Sequence, residues 1–90
     1  NIENMDEVQI INASSYFNEN KEDINLILDY IYILIFNKTK EFSNKIKYIF
    51  AMEKVQNAKE KLSKSNNFDM TIDNMLIEIW REINEKNYRS

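Results

Sequence analysis

Neither glycine nor proline occurs in these 90 residues. The residues that ordinarily break and turn a chain are missing, so punctuation falls to asparagine, which tolerates left-handed backbone and caps helices well. Breaks placed at the asparagines divide the chain into four segments. The first runs from about Met5 to Asn18 and is opened by Asn4, with Glu7 three residues on. The second runs from about Lys21 to Phe36, where Asn20 and Asp23 repeat that spacing; both pairs are arranged like a capping box. A polar connector follows over 37–44. The third segment covers roughly Lys45 to Ser65, and its trailing Lys59, Lys61 and Lys64 suit the negative end of a helix dipole. Ser65, Asn66 and Asn67 make the next break, and the fourth segment runs from about Phe68 to Glu85.

Each segment carries a helical period. In the fourth, Ile72, Met75, Leu76, Ile79 and Ile83 recur at the three-and-four spacing that stacks side chains on one face of a helix. The third repeats it with Tyr48, Ala51, Met52, Val55, Ala58 and Leu62. The second has a core face of Ile24, Ile27, Leu28, Ile31, Leu34 and Ile35; it is rich in β-branched residues, but sixteen positions are too many for an ordinary strand. In the first segment Met5, Val8, Ile11, Tyr16 and Phe17 give a broken stripe. Four amphipathic helices joined by short links predict an all-α fold, a compact antiparallel bundle in a single domain spanning 1–90.

Composition narrows the chemistry. With 43% apolar and 30% charged residues the chain is an ordinary globular one, able to bury one modest core. A domain this small hides only about 60 to 65% of its unfolded surface, which leaves room for neighbouring domains or subunits to complete it. Cysteine and histidine are absent, which excludes disulfides, thiolate nucleophiles, the usual neutral-pH general base and the common zinc sites. The lack of glycine excludes a phosphate-cradling loop. Only carboxylates, lysines and hydroxyls are left for catalysis, so no enzyme activity and no cofactor are expected. The start of the chain does not read as a signal peptide. The longest apolar stretch, Ile24 to Phe36, is shorter than the roughly 20 residues a membrane helix needs and is interrupted by Asn25 and Asp29. A soluble, cytoplasmic protein is expected.

Several apolar residues are left over once each helix has spent one stripe on the core. On the second helix Leu26, Tyr30, Ile33 and Phe36 lie away from the core face, so this helix is apolar nearly all round. On the third, Ile46 and Phe50 belong to a second stripe that also holds Phe42 and Ile49. On the fourth, Met70 and Ile77 line up at a spacing of seven, with Trp80 on their flank. Two readings follow. Either the second helix is central and these residues complete its core, or some of them form an exposed patch that docks another chain. In the second case Tyr30 and Trp80 are the natural anchors.

Charge is unevenly placed. Residues 1–36 carry one lysine against seven acids, 37–65 eight lysines against three acids, and 66–90 three basic against five acidic residues, for a net charge of −3. The Lys-rich stretch 38–64, with Lys40, Lys45, Lys47, Lys54 and Lys61, is the alternative functional feature: a small helical module that binds nucleic acid. It contains no arginine, the residue that bidentate phosphate and base recognition favours. A basic helix complementing acidic neighbours accounts for the same pattern. Asp69 and Asp73, one turn apart, suit either a weakly held hard cation or the charge preference of a helix N-terminus.

The run from Ser65 to Ile79, preceded by Ala58-Lys59-Glu60-Lys61-Leu62, resembles the C-terminal, or collar, region of the delta-prime family of bacterial DNA polymerase III clamp-loader subunits. In that family a helix ending in a small residue and a leucine is followed by an Asn-x-Asn break and a closing apolar helix. Asn67 matches the second asparagine, Ser65 replaces the first, Asp73 stands where glutamate is usual, and Met75, Leu76 and Ile79 match apolar positions. Upstream, Asn20 to Asp23 and the helix after it resemble an earlier collar helix, although the connector at 37–44 is shorter than the family's. The resemblance implies a C-terminal association domain cut from a longer subunit, with five helices in the family against four here. The implied partners are other clamp-loader subunits through their C-terminal domains, and the implied process is DNA replication. Nucleotide would be bound by preceding domains, with no direct DNA contact by this region and no membrane. A helical adaptor unrelated to replication is a third reading.

Overall fold

Each helix of this protein runs antiparallel to the helices it packs against. The structure, a computed structural model, describes residues 7–40, 45–64 and 67–85, with backbone alone for 7–12. It contains α1 (Glu7–Glu19), α2 (Ile24–Lys38), α3 (Lys45–Ser63) and α4 (Phe68–Asn84), with a single 3₁₀ turn, Lys21–Asp23, between α1 and α2. No strand occurs among the described residues. The radius of gyration of 12.7 Å is close to the roughly 12 Å of a folded chain this long, so the helices form a compact all-α bundle.

Contacts between helix ends fix their directions. Lys47, near the start of α3, donates to the Ile83 carbonyl at the end of α4 over 3.4 Å. Asp29, early in α2, pairs with Lys59, late in α3. Asn18, at the end of α1, donates to Asp69 at the start of α4, and beside it the Lys21 ammonium lies 4.9 Å from the centre of the Phe68 ring.

The order of the helices in space is α1, α4, α3, α2: α4 packs against α1 and α3, and α3 against α4 and α2. The centre of the molecule is therefore α4 with α3. On α4 all five periodic residues, Ile72, Met75, Leu76, Ile79 and Ile83, are buried, as are Thr71 and Glu82. On α3 Tyr48, Ala51, Val55 and Ala58 are buried, while Met52 and Leu62 pack partly against the core. Phe17 closes the core from α1, with Tyr16 set edge-on against it and largely exposed. Met5, Val8 and Ile11 lie outside the described side chains.

The structure corrects two expectations for α2. It is not the central helix: it lies at the edge and buries only Leu28 and Ile35, with Ile24, Ile27, Ile31 and Tyr32 half covered. Leu34, expected in the core, is 47% exposed. Among the described helices α3 alone packs extensively on α2, while α1 packs on α4, and this side of α2 stays largely uncovered.

The ends follow the chemistry of their residues. The Asn67 side chain accepts from the Met70 amide at 2.8 Å and caps α4. The expected box of Asn20 and Asp23 does not form. Asn20 turns back and donates to the Tyr16 carbonyl at 2.7 Å, closing α1, and Asp23 starts α2 with no side-chain cap bond. At the far end of α2 the Thr39 hydroxyl donates to the Phe36 carbonyl at 2.6 Å, and the Lys40 ammonium sits 4.7 Å from the Phe36 ring centre. Asn4, Phe42, Ser65 and Asn66 lie outside the described residues.

Candidate association surface

One face of α2 is both outward and apolar. Leu26 (72% exposed), Tyr30 (62%), Ile33 (54%) and Leu34 are spaced at i, i+4, i+7 and i+8, the pattern of a helical stripe, and Phe36 flanks it. This second stripe is backed by the first, since Leu28 and Ile35 hold the opposite side of the helix to the core. The exposed side chains stand on a helix placed by packing, by the Asp29–Lys59 pair and by the capped turn at Thr39.

The nine residues singled out from the sequence do not make one surface. Leu26, Tyr30, Ile33 and Phe36 share the outer side of α2. Ile46 and Phe50 each sit two positions from Tyr48, about 200° around α3, so they point away from the core there; Ile46 is half-buried and Phe50 marginally exposed. Met70 is 63% exposed on α4. Ile77 and Trp80 are half-buried and pack against the core cluster, so these two belong largely to the bundle itself. Leu34 and Ile49, both exposed, were not among the nine. Leu34 carries the i+8 position of the α2 stripe, a signal present in the sequence but masked because Leu34 also fits the edge of the core stripe. Ile49 lines a shallow groove between α2 and α3 with Tyr32, Met52, Glu53, Gln56 and Asn57.

The charged ends of this face differ in sign. Glu19, Glu22 and Asp23 are exposed around the start of α2, while Lys38 and Lys40 stand at its end. Lys21 is turned away from this acidic group toward Phe68 on α4.

Of the lysines of the middle segment, Lys47, Lys54 and Lys61 recur every seven residues along one stripe of α3, while the others stand elsewhere. Lys59 is paired with Asp29, Lys47 donates to the Ile83 carbonyl, Lys40 lies against the Phe36 ring and Lys64 pairs with Glu60 at 3.4 Å. Lys45 and Lys61 are exposed and Lys54 half-buried.

The two candidate cation ligands are likewise divided: Asp69 accepts from Asn18, while one buried oxygen of Asp73 has no hydrogen-bond partner. No group of three or more side chains suited to a metal ion occurs among the described residues. No described helix is long and apolar enough to cross a membrane. Glu82 is 2% exposed in the core of the bundle and is engaged in an interaction there.

No protein-family model, curated protein or solved structure matches this chain.

Proposed function

We propose that this domain is an association module, which works by burying the outer face of α2 against another helical surface. The carrying observation is the contrast within α2: a helix of fifteen residues with eleven apolar side chains buries only two of them, and five large ones stand exposed on the other side. Exposed apolar stripes of this kind are costly to solubility and mark sites where a partner removes them from water.

The narrower form of the reading is association among clamp-loader subunits in DNA replication, through their C-terminal domains. It rests on the motif likeness around Ala58–Leu62 and Ser65–Ile79. The matching residues cap α4 at Asn67 and fill the core at Met75, Leu76 and Ile79. Their work in this chain is to build the α3–α4 pair, so the motif speaks first to fold, and the α2 face carries the association.

The nucleic-acid reading has a weaker footing: Lys47, Lys54 and Lys61 do share one stripe of α3, but Lys47 is bound to the Ile83 carbonyl, Lys54 is half-buried, and Lys59 on another side is paired with Asp29.

A binding assay with purified C-terminal domains of clamp-loader subunits tests both levels. The expected result is capture by the wild-type chain and at least a tenfold loss on Ile33→Lys, with the helical circular-dichroism signal unchanged. No capture by the wild type rejects the replication partners. Capture that survives Ile33→Lys and Tyr30→Lys together rejects the α2 face.

A further inference from the structure

The α2 face is self-complementary, and from that we infer that a second copy of this chain is an occupant of it, in a two-fold antiparallel pairing of α2 on α2. The inference rests on the association reading and goes further by naming the partner that the face itself selects.

A two-fold axis requires that each residue find its counterpart across the axis in reverse order. The stripe satisfies this. With Tyr30 near the axis, Leu26 of one copy falls opposite Leu34 of the other, and Ile33 falls beside Tyr30. The same register carries Glu22 and Asp23, just before the stripe, to the level of Lys38 and Lys40, just after it. Acidic and basic ends therefore meet twice in one interface. A parallel pairing would set acid against acid and lysine against lysine, which is unfavourable. Antiparallel alignment also opposes the two helix dipoles.

The size of the face agrees. Leu26, Tyr30, Ile33, Leu34 and Phe36 are between 43% and 72% exposed. At about 200 Å² for a large side chain, they offer roughly 550 Å² of surface per copy. Two such faces remove about 1,100 Å² from water before any polar rim is counted, at the lower edge of specific interfaces near 1,200 Å². A face of this size fits a weak, reversible dimer rather than a permanent one.

Sedimentation equilibrium on the purified chain, over a concentration range from about 1 µM to 1 mM, reads this directly. A reversible monomer–dimer equilibrium is expected, weakened at least a hundredfold by Ile33→Lys. Charge reversal then tests the direction of pairing. Glu22→Lys and Lys40→Glu, as separate chains, each self-associate several-fold more weakly than wild type at low salt, and an equimolar mixture of the two recovers the affinity. The weakening of each single variant reports the direction: antiparallel pairing then sets like charges together, whereas parallel pairing already opposes like charges in the wild type and loses nothing from either reversal. A chain that stays monomeric at 1 mM overturns the inference, as does a dimer that Ile33→Lys leaves intact or whose mixed variants show no recovery. A monomeric wild type that still captures a heterologous partner in an Ile33-dependent way overturns the second copy alone and leaves the association reading standing.

Discussion

Leu26 and Leu28 stand two residues apart on one helix and do opposite work. Leu28 is completely buried in the core, while Leu26 is the most exposed large apolar side chain described. Truncating Leu28 to alanine removes its burial and leaves a cavity in a packed core, at a cost of about 3 kcal/mol. Truncating Leu26 removes nothing that the isolated chain buries, so its effect on monomer stability stays within about 0.5 kcal/mol. Urea unfolding of both variants at low micromolar concentration checks this pair of outcomes: a clear fall in midpoint for Leu28→Ala, and none for Leu26→Ala. Equal losses at both positions would mean that the outer face is covered within the chain. The Asp29–Lys59 pair, with both partners partly exposed, contributes less than about 1 kcal/mol and acts chiefly on the placement of α2 against α3.

At the scale of elements, hydrophobicity and protection from solvent run in opposite directions. α4 is held on two sides, by α1 and α3, and buries seven residues; α2 is held mainly by α3 and buries two. Local opening free energy follows buried contacts rather than composition. Amide hydrogen exchange is therefore expected to be slowest in α4 and the middle of α3, and markedly faster along α2 in the dilute monomer, although α2 is the most apolar of the four helices. Slow exchange throughout α2 at concentrations where the chain is monomeric would contradict its edge position. The capped ends fit the same order: α4 begins with a side-chain cap at Asn67, whereas α2 begins at Asp23 with none.

For the whole molecule, the open edge links stability to concentration. A ligand or second copy that binds only the folded state raises its stability by mass action. The thermal midpoint of the wild-type chain is thus expected to rise by several degrees between about 10 µM and 1 mM, while that of Ile33→Lys stays flat. A flat wild-type curve would show that α2 gains no cover from its own kind. The bundle leaves α2 at an edge because α1 spends its packing on α4. A four-helix arrangement in which α1 also covered α2 would have hidden Leu34 and drawn the stripe inward.

Most of the helices were legible from residue spacing alone. The period of Ile72, Met75, Leu76, Ile79 and Ile83 sets both the helix and its buried face, and Asn67 sets where that helix begins, because periodicity and capping are local properties. The competition for Asn20 was not legible: the same side chain could cap α2 or close α1, and its bond to the Tyr16 carbonyl decided between them. What the amino-acid sequence determined by itself is an all-helical chain in which α2 carries apolar side chains on both faces. The spacing also marked the face of Ile24, Leu28, Ile31 and Ile35 as the inner one and that of Leu26, Tyr30 and Ile33 as the outer. That α2 lies at the edge rather than the centre, that Leu34 is left outside, and that Ile77 and Trp80 join the bundle were decided by tertiary packing. The reason is geometric: spacing along one helix shows which side chains share a face, but whether the second face is covered depends on where the other helices lie.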